Sequence, residues 1–161
     1  MTDPETPLTP PTGAEIVSMM LSATPWTRAL GITLVSVGPA RARLVAPYRA
    51  DLIGDAESGV IAGGVISALL DHVCGAAVMA AMTERTSIAT LDLRIDYMRG
   101  AIPGRDIIGE AHCYKLTRSV AFVRAVAFED SADDPVANAT AAFMIASDGG
   151  RRPGSNRKAP R

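Results

Sequence analysis

The sequence contains few of the residues that usually build metal centres or disulfide cross-links. Its 161 residues include only two cysteines, Cys74 and Cys113, and two histidines. Two cysteines suggest neither the disulfide framework of a small secreted domain nor a thiolate metal site. We therefore expect no metal ion or other resident cofactor, and a protein of the reducing cytoplasm.

The sequence also lacks an excess of charge of either sign and a long hydrophobic run. A net charge of −1 gives no electrostatic reason to expect binding to nucleic acid or to a membrane surface. The longest uninterrupted apolar run, Val73 to Met82, is too short to span a membrane. No signal peptide is predicted at the start. With 48% hydrophobic and 20% charged residues, the composition is typical of a soluble globular protein.

The two ends of the chain differ in composition from its middle. Residues 1–12 carry four prolines among small polar residues, which predicts a disordered segment. Residues 149–161 carry five basic residues and two prolines, which predicts a basic, disordered tail. One domain is expected between them, over residues 13–148.

A single long apolar segment dominates that domain. From Gly63 to Met82 the chain has no proline and is apolar on nearly every side, which predicts a helix buried all round. One carboxylate, Asp71, lies in its middle. Burying a carboxylate without a partner costs several kcal/mol, so Asp71 is a candidate functional residue. Two glycines, Gly63 and Gly64, begin the helix and leave its first N–H groups accessible to a ligand.

Strands are predicted on both sides of this helix from alternating apolar and polar residues. They are expected over 32–37 and 41–46 before the helix, and over 89–97, 106–116, 120–129 and 136–147 after it. A short helix over 13–21, a turn over 25–30 and irregular structure over 47–61 complete the prediction.

Side-chain directions follow from the same patterns. The short helix is expected to present Ile16, Met19 and Met20 on one face. In the strand over 89–97, one face is expected to carry the apolar residues Leu91, Leu93, Ile95 and Tyr97, and the other face Thr90, Asp92, Arg94 and Asp96.

This order of elements predicts an α+β fold in which a curved antiparallel sheet wraps around the long helix. A sheet covers only one side of a helix that is apolar on every side. A partner subunit is the expected cover for the rest, which predicts an obligate dimer.

The helix and the following strand together resemble a family signature. The matching positions are Gly63, Gly64, Leu69, Leu70, Asp71, Gly75 and Ala76 on the helix, then Thr90, Asp92, Leu93, Ile95, Tyr97, Arg99 and Ala101. In these positions the chain resembles the hotdog-fold acyl-CoA thioesterases of the PaaI-like, phenylacetate-pathway type. The similarity extends from about Gly31 to Ile145.

The resemblance implies a metal-free hydrolysis of acyl-CoA to free acid and CoA, with CoA present only as part of the substrate. It implies that Asp71 is the nucleophile or the general base and that the Gly63 N–H polarises the thioester carbonyl. Thr90 corresponds to a hydroxyl residue that orients the acid or the water. The family's sites lie at a dimer interface, usually within a homotetramer.

Two positions depart from the family pattern. The family commonly has histidine before the paired glycines, where this chain has Ala62. It often has asparagine six residues earlier, where this chain has Ala56 next to Asp55. Asp55, Ala62 and Gly64 are therefore the candidate substrate-contacting residues around the helix start.

The chemistry of thioester hydrolysis fits the same residues. A carboxyl group in apolar surroundings is a better base near neutral pH, and an N–H at a helix start can stabilise an oxyanion. Gly63 and Asp71 are eight residues apart on one helix, or about 12 Å, which is too far to act on one carbonyl. If both act, Gly63 of one subunit must meet Asp71 of another across a two-fold axis.

Each candidate also has a structural interpretation. Asp71 could be a hydrogen-bonded structural carboxylate, Gly63 and Gly64 could serve close helix packing, and threonine is common in strands. Cations at strand ends and turns could hold the CoA phosphates or be ordinary solvated charges; these are Arg99, Lys115 and Arg118.

The remaining reactive side chains do not suggest another nucleophile. His72 is rotated about 100° from Asp71 on the helix, so the two cannot share a face. His112 is expected to be a packed or surface residue, and Cys74 a small core residue.

The sequence thus predicts an acyl-CoA thioesterase, with an aliphatic acyl site expected from Leu70, Val73 and Met98. Such a site fits a medium-chain or an aromatic acyl group. One alternative is a non-catalytic acyl-CoA-binding hotdog protein, because the histidine is replaced by Ala62. A hotdog hydratase or dehydratase is less favoured, because residues 48–62 contain no histidine.

Overall fold

The computed structural model describes residues 13–83 and 86–146. The predictions of a disordered segment over 1–12 and a basic tail over 149–161 lie outside the described residues. Within them, three α-helices accompany a six-stranded sheet and a small two-stranded sheet.

The helices are α1 (Gly13–Ala23), α2 (Pro25–Leu30) and α3 (Gly63–Ala81). The prediction of a turn over 25–30 was wrong, since this segment is the helix α2. Pro25 stands at the first helical position, and Gly31 closes the helix in the left-handed conformation with φ 72°. Proline at the start and glycine just past the end are helix signals that the sequence already carried.

Helix α1 confirms the prediction for residues 13–21 but not the predicted face. Its buried residues are Val17 and Leu21, with Ile16 and Met20 partly buried beside them. Met19, predicted to share that face, is 47% exposed.

The strands match the predicted order. They are β1 (Thr33–Gly38), β2 (Arg41–Ala46), β3 (Ile53–Asp55), β4 (Val60–Ile61), β5 (Ile88–Tyr97), β6 (Ile107–Leu116), β7 (Val120–Phe128) and β8 (Ala137–Ile145). The large sheet is antiparallel, with the order β1-β2-β6-β7-β8-β5. The segment predicted to be irregular holds a 3₁₀ turn, Ala50–Leu52, and the hairpin β3–β4.

Helix α3 lies across the concave side of the sheet and forms the core with β2, β6 and β7. Its side chains Leu69, Leu70 and Val73 are fully buried. This helix is long and apolar enough to cross a membrane by length and composition alone, but here it is the core helix of the sheet.

The prediction that α3 is buried all round does not hold within one chain. The helix is buried on every side only over its second half, from Val73 to Met79. Its first half leaves an open stripe of partly or fully exposed residues, Gly63, Gly64, Ser67, Ala68, Asp71 and His72. We refer to these six residues as the α3 stripe.

Strand β5 departs from the predicted alternation because it contains a bulge. The pairing with β8 shifts between Thr90 and Asp92, so Leu91 has no partner and is 57% exposed. Thr90 pairs with the buried Phe143, which places Thr90 on the helix side of the sheet together with Leu93. The expected separation of Thr90 from Leu93 onto opposite faces was therefore wrong.

Close packing of α3 on the sheet depends on a glycine in β6. A Cβ atom at Gly109 would lie 3.0 Å from Leu69 Cγ and 3.3 Å from Val73 Cγ1, both in fully buried side chains. We expect Gly109→Ala to lower the free energy of unfolding by about 1–3 kcal/mol. Urea denaturation at fixed protein concentration measures this. The control Gly100→Ala, where no atom lies within 4 Å, should change stability little; equal losses in the two variants would contradict the packing argument.

Candidate active site

Asp71 and Thr90 are brought together by α3 and β5. The Thr90 hydroxyl donates a hydrogen bond of 2.9 Å to Oδ1 of Asp71. Asp71 is half-buried within one chain, not enclosed by apolar side chains as the sequence suggested. Its second oxygen, Oδ2, accepts no hydrogen bond from any residue in 13–83 or 86–146. Thr90 thus fixes the carboxylate and leaves one oxygen available to a ligand.

The start of α3 presents two uncapped amides. Gly63 and Gly64 are exposed, and the N-cap residue, Ala62, offers no side-chain cap. The first N–H groups of a helix have no intrahelical acceptor and carry a partial positive charge. This end can therefore accept a developing negative charge.

Contacts behind Ala62 hold the helix start in place. The Ala62 N–H donates to the carbonyl of Leu52 at 2.8 Å. A Cβ atom at Gly54 would lie 2.7 Å from Ala62 Cα, so only glycine permits this close approach of β3 to the helix start. The hairpin β3–β4 therefore sets where α3 begins.

Tyr97 also contacts the helix start, a role that sequence reasoning missed. Its hydroxyl donates to the carbonyl of Gly63 at 2.7 Å and lies 2.9 Å from Ser67 Oγ. The sequence placed Tyr97 on the same face as Leu93 and Ile95, which the pairing with β8 confirms, but at the end of β5 its side chain is half-exposed. The position of Tyr97 in the signature, seven residues after Thr90, was the available signal.

Gly63 and Asp71 do not meet within one chain. They lie on the same straight helix, eight residues or about 12 Å apart along the axis. The carboxylate and the helix start are both on the open α3 stripe, and neither can reach a carbonyl held by the other in the same subunit.

Arg99 is engaged in ion pairs. Its Nη1 and Nη2 donate to the carboxylate of Glu129 at 3.2 and 2.6 Å, and its Nε donates to Asp134 at 3.2 Å. The bond to Glu129 is the main reason that the pKa of Arg99 is raised. These contacts support the structural interpretation of Arg99 and leave it poorly placed to hold a phosphate.

Glu129 provides a pH-dependent test of this pair. Its side chain is 1% exposed, and burial alone would raise its pKa. Hydrogen bonds from Arg99 and from the Ile102 N–H outweigh burial and leave the pKa below its ordinary value. A lowered pKa in the folded state contributes stability above the unfolded pKa, and that contribution is lost as the pH falls through the folded pKa.

We therefore expect Glu129→Gln to lower the free energy of unfolding by about 2–3 kcal/mol near pH 7, because Arg99 loses its buried partner. The difference from wild type should shrink below about pH 4. Urea titrations at both pH values measure this. Asp134→Asn, which removes the exposed partner of the same Arg99, should have little effect. A pH-independent loss in Glu129→Gln would contradict the assignment.

Lys115 and Arg118 lie at the β6–β7 turn and are exposed. Within 13–83 and 86–146, neither side chain forms an ion pair or a hydrogen bond. Two contacts place this turn at the end of the sheet where β5 begins. Ile145, at the end of β8, pairs with Ile88, at the start of β5, and the Ile145 N–H donates to the carbonyl of Ser119 in the turn. Both cations are thus on the same end of the sheet as Thr90.

The carboxylate of Asp55 is hydrogen-bonded within its own hairpin, β3–β4. It accepts hydrogen bonds from the Ser58 hydroxyl and from the N–H groups of Glu57 and Ser58, which together lower its pKa. The substrate contact expected of Asp55 stays a prediction.

Other reactive groups are placed away from this chemistry. Burial raises the pKa of Cys74 to about 12, so this thiol stays protonated, and Cys74 is a core residue as predicted. His72 is an exception: it lies on the α3 stripe together with Asp71, so the prediction that the two cannot share a face was wrong, and its Nδ1 lies 2.6 Å from the carbonyl of Ala68. His112 pairs with Arg41 and Arg124 across neighbouring strands. No group of three potential metal ligands occurs in the part of the chain that is described.

The predicted acyl-lining residues are not all accessible. Leu70 and Val73 are fully buried against the sheet, so they cannot line a site without opening the core. Met98 is exposed at the end of β5, next to Tyr97. The prediction treated α3 as apolar on every side, although Ser67, Asp71 and His72 recur at helical spacing and mark the face that the sheet leaves open.

Comparison with known proteins identifies the family of this arrangement. The model of the "Thioesterase superfamily" matches residues 58–135, which include Gly63, Asp71 and Thr90. Human acyl-coenzyme A thioesterase 13 is 31% identical over 110 residues, covering 67% of this chain and 76% of the relative. The medium/long-chain acyl-CoA thioesterase YigI of Salmonella typhimurium is 29% identical over 136 residues, covering 75% of this chain and 85% of the relative.

Solved structures agree with the architecture. A Pseudomonas aeruginosa protein superposes with a TM-score of 0.76 at 38% identity, covering 82% of this chain and 98% of that protein. A mutant of the phenylacetic acid degradation protein PaaI from Thermus thermophilus superposes with a TM-score of 0.66 at 26% identity, covering 75% and 98%. The curved sheet and central helix are thus those of hotdog proteins.

Proposed function

Since this chain belongs to the thioesterase superfamily, as a PaaI-like hotdog thioester hydrolase, we propose that it cleaves acyl-CoA with Asp71 and the Gly63 N–H. Asp71 is the nucleophile or the general base, Gly63 is the oxyanion donor, and Thr90 orients the carboxylate. The observation that carries this assignment is the Thr90–Asp71 hydrogen bond, which leaves Oδ2 of Asp71 free on the open α3 stripe.

Hydrolysis of the thioester can proceed with Asp71 in either role. As a base, Oδ2 takes a proton from a water molecule while the water oxygen attacks the thioester carbon. As a nucleophile, Oδ2 attacks directly, and water then hydrolyses the acyl-enzyme anhydride. In both cases the carbonyl oxygen becomes negative beside the Gly63 N–H, the C–S bond breaks, and CoA leaves as the thiolate. In the base role the thiolate then takes the proton from Asp71, which restores the carboxylate; in the nucleophile role hydrolysis of the anhydride restores it.

In this proposal, two subunits form the shared site by pairing along edge strand β5. It is a ten-residue edge strand that pairs with β8 on one side and with no described strand on the other, whereas α1 packs against the other edge strand, β1. Two copies of β5 related by a two-fold axis would pair in opposite directions. In one copy, the end of β5 at Tyr97 contacts Gly63. That end would then lie beside the opposite end of β5 in the other copy, where Thr90 contacts Asp71.

This pairing brings together the two halves that a single chain keeps about 12 Å apart. It also covers the open α3 stripe, consistent with the sequence-based expectation of an obligate dimer. We propose a homodimer built on β5, assembled further into a homotetramer. The mass in solution, measured by light scattering, tests the assembly.

For the CoA moiety, we propose that Lys115 and Arg118 contact the phosphates. Both are exposed cations without partners among the described residues, at the end of the sheet where the shared site would form. The open helix start at Ala62 and Gly64 would receive the thioester region.

For the acyl group, we propose a medium-chain aliphatic or an aromatic acid. The name of the relative YigI specifies medium and long chains, and the name of the Thermus neighbour specifies phenylacetic acid degradation. Release of CoA thiol from matched aliphatic and arylacetyl esters tests this. Preferred turnover of one of these groups is expected; binding of the esters without thiol release would contradict the proposed function.

A further inference from the structure

The first turn of α3 is held by side chains outside the predicted catalytic set. The carbonyl of Gly63 accepts a hydrogen bond from the Tyr97 hydroxyl at 2.7 Å and from Ser67 Oγ at 3.1 Å. The two hydroxyls are themselves 2.9 Å apart. A backbone carbonyl and two hydroxyls thus lie within hydrogen-bonding distance of one another at the start of the helix. Since each hydroxyl has one proton, two of these three contacts are hydrogen bonds at any one time.

The local sequence holds this turn weakly. Gly63 and Gly64 have no Cβ atom, so their dihedral angles are the least restricted of any residue. Ala62 supplies no side-chain cap. Within the helix, the peptide unit between Gly63 and Gly64 is held by the i→i+4 bond from the Ser67 N–H to the Gly63 carbonyl, and the two hydroxyls restrict it further.

Hydrogen bonds to the Gly63 carbonyl fix that peptide unit. In a planar trans peptide, the C=O of one residue and the N–H of the next point in opposite directions, so fixing the carbonyl of Gly63 fixes the N–H of Gly64. The Gly63 N–H belongs to the preceding peptide unit, whose carbonyl, that of Ala62, accepts a hydrogen bond from the Val65 N–H at 2.9 Å. The hydrogen bonds to the Gly63 carbonyl also polarise its peptide, which makes the Gly64 N–H a stronger donor.

We propose that Tyr97, supported by Ser67, is a positioning residue for the amides at the helix start: it fixes the Gly64 N–H, a second oxyanion donor next to the Gly63 N–H. This inference rests on the proposed function. Tyr97 acts through the backbone and does not touch the reacting atoms. Because Tyr97 is the last residue of β5, the orientation of the amides is tied to the same strand that forms the proposed dimer edge.

Removing one hydroxyl tests the role. Tyr97→Phe keeps the ring beside Gly63 and deletes the hydrogen bond to the Gly63 carbonyl together with the contact to Ser67 Oγ. We expect kcat to fall about 10- to 100-fold, because misdirected amides stabilise the transition state less, with KM changed less than about 2-fold. Ser67→Ala should give a smaller loss. In the double variant the losses should not add, since both hydroxyls hold one carbonyl.

Tyr114→Phe is the matched control. Tyr114 is an exposed tyrosine whose ring lies against Arg124, on the outer face of the sheet, and its loss of a hydroxyl should leave kcat unchanged. Melting temperatures measured on all variants distinguish a loss of folding from a change in the orientation of the amides. If Tyr97→Phe is unstable, the kcat of Ser67→Ala alone still decides the question.

The outcomes separate this inference from the proposed function. If the wild type shows no thiol release, the proposed function fails. If the wild type is active, Asp71→Asn is inactive, and Tyr97→Phe and Ser67→Ala keep the wild-type kcat, only the positioning role is overturned. A rise in KM with unchanged kcat would also overturn it, because that pattern reports uniform substrate binding.

Discussion

Asp71→Asn should lower kcat for acyl-CoA hydrolysis by about a thousandfold, within the range usual for loss of a general base. Asparagine has the shape of aspartate and can still accept the hydrogen bond from Thr90. It can neither take a proton from water nor attack a thioester as a carboxylate does. The loss should therefore be in kcat, with folding and substrate affinity retained. Initial rates of thiol release at saturating substrate measure it.

The control for this change is Asp92→Asn. Asp92 lies on the same strand as Thr90 and pairs with Ala142, on the face of the sheet turned away from α3. It has the same charge and is exposed, so it tests whether loss of a carboxylate near β5 is enough to affect turnover. A thousandfold loss in both variants, or in neither, would remove Asp71 from the mechanism.

Gly63→Pro should lower kcat by about 100- to 1000-fold, as loss of one oxyanion donor does in other enzymes. Proline deletes the N–H and nothing else that α3 needs, since the first residue of a helix has no intrahelical acceptor for its N–H. The preceding residue, Ala62, has φ −60° and ψ 134°, a conformation that proline accepts in its neighbour. The helix should therefore form normally without its first donor.

Gly63→Ala is the control, because alanine keeps the N–H. A Cβ atom at this position would lie 3.4 Å from the Tyr97 hydroxyl, a contact that the side chain can accommodate. Its kcat should stay within about threefold of wild type. An equal loss of kcat in Gly63→Ala and Gly63→Pro would show that the position matters for packing alone. The assignment of the Gly63 N–H as oxyanion donor would then be wrong.

Local patterns predicted most of the elements of this fold. Strand β2 was predicted over its actual residues because its alternation is regular and Pro47 follows it. Helix α3 was predicted to within one residue because Gly63 and Gly64 begin a long apolar run without proline. Helix α2 was missed although Pro25 and Gly31 mark its ends, because six residues are too few for a helical period to show. The bulge at Leu91 interrupts the alternation and leaves no repeating pattern in the sequence. The side-chain directions around Thr90 therefore could not be predicted from alternation.

The candidate site divides in the same way. Asp71, Gly63 and Thr90 could be predicted because they lie within a short signature. The ion pair of Arg99 with Glu129 joins residues 30 positions apart, and no local pattern shows it. The contact between Tyr97 and Gly63 spans 34 positions and depends on where the end of β5 meets the start of α3. Such contacts follow from the three-dimensional arrangement, which periodicity does not determine.

We propose that one active site takes Asp71 from one subunit and the Gly63 N–H from another. Subunits carrying Asp71→Asn and Gly63→Pro, each inactive alone, can be co-expressed with different affinity tags and purified together. In a shared site, one of the two sites of the heterodimer combines both defects, and the other has neither. We expect about half of the wild-type turnover per dimer. A heterodimer no more active than the two parent variants would contradict the shared site.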